Sequence, residues 1–216
     1  MTITPMRRLM SALLLVAIAA DAAAECAPEK LVKVVYRDAT PGIDKTSFAA
    51  KPQTLWRLGK DFGRVEEMPD PENGIHQLIV VNVRDAWMVN LLDKSGKHIV
   101  DHAETSGFVA PLVSGEELPA AVAEIEFGCE FQYMRARGVK PESVEMAGRK
   151  FRQFRMAEGH FVVKLIALPD QDVPFGFALL KDGATQVYFQ YMEYGTNLDA
   201  DPRLFARPEG ITYSED

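Results

Sequence analysis

Residues 150–194 read KFRQFRMAEGHFVVKLIALPDQDVPFGFALLKDGATQVYFQYMEY, and this stretch decides the fold. Apolar and aromatic residues recur there in short runs, which the turn pairs Glu158-Gly159 and Asp182-Gly183 separate. Runs of this kind, bounded by turn residues, are typical of antiparallel strands joined as hairpins. The stretch therefore predicts consecutive strands over residues 150–156, 161–168, 175–180 and 185–194.

The same pattern extends toward the N-terminus, where Gly, Pro, Asn and Asp again separate short apolar runs. It predicts strands over residues 31–36, 55–58, 63–67, 77–82, 86–92, 97–101 and 143–146. Strands do not alternate with helices, so a parallel doubly wound sheet is not expected. We expect a mostly β (α+β) fold, a curved antiparallel sheet or incomplete β-barrel of about ten to eleven strands.

One helix is expected to pack on the concave face of this sheet. Its apolar positions recur at spacings of four, three, four and four residues, which places them along one face. Residues 114–117 (SGEE) match a capping box, while Pro119 favours the first helical position, so the start falls between 115 and 119. Gly138 is suited to closing the helix. The apolar stripe consists of Leu118, Val122, Ile125, Cys129 and Tyr133.

Composition and charge exclude several classes of protein. The 216 residues are 47% hydrophobic and 25% charged, as in ordinary globular domains. A formal net charge of -7 disfavours binding to the negatively charged phosphates of nucleic acids, so we expect no nucleic-acid partner. The longest apolar run, residues 9–20, is shorter than the roughly 20 residues that a membrane-spanning helix needs.

That apolar run instead has the features of an export signal. Arg7 and Arg8 precede it, and the small residues Ala22, Ala23 and Ala24 follow it. We expect a cleaved secretory signal over residues 1–24 and a single domain over residues 25–216. The protein would then be periplasmic, or secreted if the source has no outer membrane.

Cys26 and Cys129 are the two cysteines of the chain. In an exported protein a lone pair is usually bridged, so we predict a disulfide between them. Two alternatives stay open: Cys129 is buried and reduced, or Cys26 carries a lipid. Glu25 disfavours lipidation, because lipoprotein processing requires a small residue before the cysteine.

Three segments carry a family resemblance. They are residues 52–57 (PQTLWR) leading to 63–66 (GRVE), residues 77–82 (QLIVVN) followed by 85–89 (DAWMV), and residues 197–210 (NLDADPRLFARPEG). Across nearly the whole chain after the signal, this order resembles the periplasmic lipoprotein-carrier (LolA/LolB-like) family. The resemblance implies an exported, non-enzymatic half-barrel that holds an acyl chain or another apolar ligand. Opening of the family's carriers depends on one arginine, and no arginine of this sequence is matched to it by sequence alone.

A ligand pocket is therefore expected between the strands and the helix, for an apolar small molecule, a lipid or an acylated protein. Plain core packing is the alternative for the same residues. The predicted lining is Trp56, Trp87, Val89, Leu91, Leu118, Val122, Ile125, Phe161, Val163, Leu165, Phe177 and Phe189.

A basic segment is the second candidate for a binding site. Residues 135–155 are rich in Lys and Arg in an otherwise acidic chain, which suits transient contact with an anionic membrane surface or envelope protein. A solvated strand face is the alternative. The predicted patch consists of Arg135, Arg137, Arg149, Lys150, Arg152 and Arg155.

Signatures of catalysis and of cofactors are weak. The sequence has no Gly-x-Ser-x-Gly elbow and no Gly-x-Gly-x-x-Gly, so neither hydrolase chemistry nor a nucleotide cofactor is expected. His98, Asp101 and His102 suit zinc chemically, but about 13 Å of extended strand would separate the two imidazoles. We expect no metal and favour a non-catalytic carrier; the alternatives are an envelope interaction module with a filled core and a secreted hydrolase.

Overall fold

A computed structural model describes residues 26–47, 50–100 and 107–214 of the chain; the predicted signal over residues 1–24 lies outside them. Within these ranges, twelve strands form one sheet in the order β12-β6-β5-β4-β3-β2-β1-β11-β10-β9-β8-β7. All pairs are antiparallel except β12 with β6. The strands are β1 (Leu31–Asp38), β2 (Gln53–Leu58), β3 (Phe62–Glu67), β4 (Gln77–Asn82), β5 (Asp85–Asn90), β6 (Ser95–Val100), β7 (Pro141–Met146), β8 (Arg149–Glu158), β9 (Phe161–Ala167), β10 (Pro174–Lys181), β11 (Ala184–Leu198) and β12 (Thr212–Ser214).

The sheet confirms the predicted fold class, a curved and unclosed antiparallel sheet. Each strand expected from the sequence is present, and the short β12 adds one beyond the expected ten to eleven. Its hairpins form where the turn residues predict them, and Gly159 and Gly183 have φ of +57° and +83° at two of these turns. Such left-handed values favour glycine, which explains why the glycines mark the strand ends.

The expected single helix is wrong in one respect: two short helices stand in its place, α1 (Ala120–Ala123) and α2 (Glu130–Ala136). Between them the backbone leaves the helical path and pairs with residues 110–112, since Leu112 N donates to Ile125 O and Phe127 N to Ala110 O. Gly128, with φ of +87°, then turns the chain into α2. Long-range backbone pairing thus replaces the middle of the predicted helix.

The sequence predicts the C-terminal end of the helical region well but not its N-terminal end. The capping box over residues 114–117 is wrong, because α1 begins after Pro119 and no side chain caps it. The C-terminal end is close to the prediction: α2 stops at Ala136, and Gly138 has φ of +68°. Among the described residues, no helix is long and apolar enough to cross a membrane.

Both faces of the sheet carry a hydrophobic cluster. The larger cluster lies on the concave face under the helices and includes Val34, Leu55, Val122, Leu165 and Phe177. The smaller cluster lies on the opposite, convex face of β2–β5, under a 3-10 helix (Pro202–Phe205) and the residues that follow it. Neighbouring residues of one strand therefore belong to different clusters, as the period of two requires.

The predicted disulfide between Cys26 and Cys129 is confirmed. It spans 103 positions and ties the chain ahead of β1 to the start of α2. Because the bond anchors the start of α2 to the segment just ahead of β1, it helps to hold the helical region over the concave face.

Candidate functional site

A segment that we call the strap, residues 107–113, crosses the concave face. Phe108 N donates to Lys60 O at 2.7 Å, which fixes the strap to the turn between β2 and β3. The Phe108 ring lies directly over Gly63, where an added Cβ would stand 2.1 Å from the ring carbons. Glycine at position 63 therefore makes room for the buried phenyl ring that anchors the strap.

Arg57 holds the strap and the inter-helix loop to the sheet. Its side chain is completely buried, and its guanidinium donates to Phe108 O at 2.5 Å and to Phe127 O at 3.1 Å. It also forms an ion pair with Glu126 at 2.6 Å, and the same Glu126 oxygen accepts from Ala110 N. One buried cation on β2 thus joins two parts of the cover, the strap and the inter-helix loop.

Glu130 is the second buried charged residue of this region. Its Oε1 accepts hydrogen bonds from Tyr191 at 2.6 Å and from Gly128 N at 3.1 Å, and its Oε2 accepts from Tyr194 at 3.1 Å. Burial raises the pKa of the Glu130 carboxyl, and the hydrogen bonds from Tyr191 and its other donors only partly oppose this. The group fastens α2 to β11.

The first opening on the concave face, which we call the strap groove, lies between the strap and strands β1–β4. Its volume is about 410 Å³. The lining is almost wholly apolar because these strands turn the same face toward the strap. The lining residues are Tyr36, Leu55, Val65, Ile79, Val81, Gly107, Phe108, Val109, Ala110, Pro111 and Phe127.

The second opening, which we call the turn groove, lies between residues 112–118 and strands β9–β11. Its volume is about 520 Å³, and Phe161, Leu179, Val187 and Phe189 supply apolar walls. At its rim Lys181 Nζ lies 2.8 Å from Glu117 Oε2. This ion pair raises the pKa of Lys181 and lowers that of Glu117 through the hydrogen bond and the charges.

Three aromatic rings separate the two grooves. The Tyr36 ring stacks on Phe127 with 4.0 Å between centroids, and Phe189 lies 5.5 Å from each of them. Tyr36 and Phe127 line the strap groove, whereas Phe189 lines the turn groove. The concave face therefore offers two apolar openings with a shared aromatic wall.

The structure divides the predicted pocket residues between the two faces of the sheet. Leu118, Val122, Ile125, Phe161, Val163, Leu165, Phe177 and Phe189 belong to the concave cluster or pack against it, and three of them, Leu118, Phe161 and Phe189, line the turn groove. Trp56, Trp87, Val89 and Leu91 belong to or pack against the convex cluster instead. The structure thus does not bring the predicted pocket residues together around one cavity.

The cavity expected directly beneath the helix is filled by side chains. Val122, Ile125, Val163, Leu165 and Phe177 have no measurable exposure. They pack against one another as an ordinary core. The openings lie beside the helical cover rather than under it.

The convex cluster is closed by the C-terminal segment. Phe205 is buried there beside Phe62, with 5.6 Å between ring centroids, and Asn82 donates to its carbonyl oxygen at 3.0 Å. Trp87 stacks on His98, which is held by Asp85 at 2.7 Å. This face is a packed core with a cover, so Trp56 and Trp87 lie apart from both grooves of the concave face.

The predicted basic patch is not one surface. Arg135 and Arg152 both pair with Asp172, and Arg137 pairs with Glu124 at 2.9 Å. Along β8 the alternation of side chains sends Lys150 and Arg152 to one face and Arg149 and Arg155 to the other. Partner carboxylates and strand alternation therefore disperse the charge that the sequence concentrates.

His98 is the one member of the candidate zinc cluster that lies among the described residues. Asp101 and His102 lie outside the described residues, and His98 is paired with Asp85. Within the described part of the chain, no group of three or more His, Cys, Asp or Glu could hold a metal ion.

The sequence does not reveal that the ionisable residues Arg57 and Glu130 are buried, nor the presence of the strap groove. A usable signal existed for Arg57, since it shares a strand face with Leu55 and therefore points into the core. Glu130 had no such signal, because the helix pattern predicted its neighbour Cys129 for the buried face. The strap contains no periodic pattern from which its path could be predicted.

No protein-family model matches the chain, and no curated protein matches it. Among solved structures, similar chains include an uncharacterized conserved protein from Thermus thermophilus, with 11% identity over 86% of this chain and 90% of that one, at a TM-score of 0.46. MucB, solved in complex with MucA(peri), shows 13% identity over 86% of this chain and 57% of that one, at a TM-score of 0.43. PNGF-II shows 8% identity over 87% and 32%, at a TM-score of 0.36. The functional conclusion therefore rests on the geometry of this chain.

Proposed function

We propose that the protein is an exported, non-catalytic binding protein that holds an apolar ligand, the acyl chain of a lipid or of an acylated protein, against its concave face. The observation that carries this proposal is the pair of open apolar grooves beside the Tyr36, Phe127 and Phe189 rings. Their volumes of about 410 and 520 Å³ fall within the range of roughly 300–1,000 Å³ that ligand sites occupy. Burying an acyl chain there gains about 25 cal/mol per Å² of apolar surface.

Arg57 supports the carrier interpretation. The resemblance to lipoprotein carriers implies an arginine on which opening depends, and we propose Arg57 for that role because it holds the cover. Its guanidinium holds the strap through Phe108 O and the inter-helix loop through Glu126. Loss of these contacts would free the segment that roofs the strap groove, so binding and opening would be coupled at one residue.

The disulfide supports export. Such bonds persist in oxidising compartments such as the periplasm and are rare in the cytosol. The bond between Cys26 and Cys129 closes the predicted mature chain almost at its N-terminus. A periplasmic location therefore belongs to the proposal, together with removal of residues 1–24.

Uptake of an uncharged fluorescent probe tests the binding function. N-phenyl-1-naphthylamine fluoresces in apolar surroundings, and the wild-type protein should enhance its emission in a saturable manner. Val65→Trp and Val187→Trp place large rings in the strap groove and the turn groove, where both valines are half-buried. Each should reduce uptake while the melting temperature changes little.

Val100→Trp is the matched control, because Val100 is exposed on the opposite face of the sheet. It should leave probe uptake unchanged. If the wild-type protein takes up no probe, the carrier proposal is wrong.

An envelope interaction module is the second candidate, and a specific observation favours it. The core under the helices is filled, while Met88 and Ile99 are 45% and 42% exposed on the concave side of β5 and β6. Exposed apolar side chains of this kind often mark protein contacts. Failure of probe uptake would leave this function as the better one.

A further inference from the structure

Lys181 places a positive charge over an apolar floor. It lies at the end of β10, opposite Phe161 of β9, and its Nζ stands 5.5 Å from the centre of the Phe161 ring. Both residues line the turn groove together with Leu179, Val187 and Phe189. The ammonium group at the rim would pair with the charged head of an anionic amphiphile, and the apolar groove would hold its alkyl chain.

A carboxylate of the chain itself occupies the position that such a ligand would take. Glu117 Oε2 lies 2.8 Å from Lys181 Nζ, but the Glu117 side chain is 82% exposed and that of Lys181 is 40% exposed. Exposed ion pairs contribute little to stability. Glu117 can therefore be exchanged for another carboxylate at small cost to the fold.

The surrounding charges leave Lys181 as the group that would bind the anion. Glu116 lies on the same turn as Glu117, and Asp182 follows Lys181 but is paired with His160 at 2.8 Å. The net field at the rim is thus acidic apart from Lys181. A ligand carboxylate would therefore find a favourable electrostatic interaction at the rim only by contacting Lys181 in the place of Glu117.

We propose that the turn groove binds a long-chain carboxylate, whose alkyl chain packs on Leu179, Val187 and Phe189 and whose carboxylate replaces Glu117 on Lys181. This inference rests on the proposed binding function and narrows it to an unesterified lipid, whose free carboxylate is the head group. Glu117 then acts as an internal competitor that keeps the site closed to weak anions.

Calorimetric titration with dodecanoate and with uncharged dodecan-1-ol, below micelle-forming concentrations, tests this inference. The wild-type protein should bind dodecanoate more tightly than the alcohol. Lys181→Gln should weaken dodecanoate binding about tenfold, as expected for loss of one hydrogen bond to a charged group, and leave the alcohol unchanged. Glu117→Gln should strengthen dodecanoate binding by about two- to fivefold, because the competing carboxylate is gone.

Lys33→Gln is the matched control. Lys33 forms an ion pair of the same 2.8 Å length with Glu193 but does not line either groove. It should change neither affinity. Equal affinity of the wild-type protein for both ligands, or weaker dodecanoate binding in Glu117→Gln, would overturn the head-group inference and leave the binding function intact. Failure to bind dodecanoate, dodecan-1-ol and the naphthylamine probe would overturn the binding function itself.

Discussion

The guanidinium of Arg57 lies 2.6 Å from the carboxylate of Glu126, and this ion pair joins the sheet to the loop between the two helices. Arg57 is completely buried and Glu126 is 15% exposed at the side chain. Both residues make further hydrogen bonds, since Arg57 also donates to Phe108 O and Glu126 also accepts from Ala110 N. The buried Arg57 Nε has no hydrogen-bond partner among the described residues. A buried charge network of this kind is costly to break from one side only.

Replacing Arg57 by alanine should therefore destabilise the protein by about 3–5 kcal/mol, because Glu126 and two backbone carbonyls lose their partner. Urea unfolding measures this change. Amide hydrogen exchange should also rise in residues 107–113, the strap that Arg57 holds.

Arg37→Ala is the control for this substitution. Among the described residues, Arg37 donates only to Gln190 at the exposed surface, so its loss should change stability by less than about 0.5 kcal/mol. Equal effects of the two substitutions would show that the Arg57 network has no special importance.

Reduction of the disulfide should lower the stability of the protein, because it increases the conformational entropy of the unfolded chain. Cys26 and Cys129 are 103 positions apart, and a loop of that size is worth up to about 4–5 kcal/mol on the chain-entropy model. We expect a clear drop in melting temperature when dithiothreitol is added to the wild-type protein. The Cys26→Ser, Cys129→Ser double variant should melt at the lower temperature with or without the reductant, and a reductant effect in that variant would contradict the assignment.

The sheet was predictable because its information is local. Several hairpin turns carry a Gly signal, as at Gly59, Gly148, Gly159 and Gly183, and strands of this kind pair with their sequence neighbours. The break in the helix was not predictable from the sequence. It depends on the hydrogen bond from Phe127 N to Ala110 O, which joins two segments that have no periodic pattern of their own. Gly128 is the one local sign of that break.

The candidate site was only partly predictable, and Trp56 shows why. Alternation in β2 separates Trp56 from Leu55 and Arg57, but it does not say which of the two faces is concave. Both faces carry apolar residues, because residues 202–213 cover the convex one. The path of that C-terminal cover is a tertiary feature, and without it Trp56 and Trp87 are equally good pocket residues.

Gly63 should not tolerate a side chain. A Cβ at this position would stand 2.1 Å from the Phe108 ring, so Gly63→Ala should displace Phe108 from its site. Exposing a buried Phe costs about 1.5–3 kcal/mol, and the strap groove should lose its roof at the same time. Urea unfolding and naphthylamine uptake together measure both effects.

Gly115→Ala provides the comparison for Gly63. Its Cβ would meet only ordinary contacts with Leu118 at 3.7 and 3.8 Å, so stability should change by less than about 0.5 kcal/mol. If Gly63→Ala were as stable as this variant, the close packing of Phe108 on β3 would be wrong.

The buried Glu130 should make stability depend on pH. Burial raises its pKa in the folded protein above the value in the unfolded chain, so the folded state holds the proton more strongly. The stability contributed by this group is complete below the unfolded pKa of about 4.3 and is lost as the pH rises toward the folded pKa, by at most about 1.4 kcal/mol per pH unit.

Glu130→Gln cannot ionise and should escape this loss. The free energy of unfolding of Glu130→Gln minus that of the wild-type protein should therefore increase between pH 4 and pH 8 in urea titrations. Because the subtraction cancels the other titrating groups, a difference that stays flat or decreases would mean that Glu130 is held as a carboxylate by Tyr191 and Tyr194.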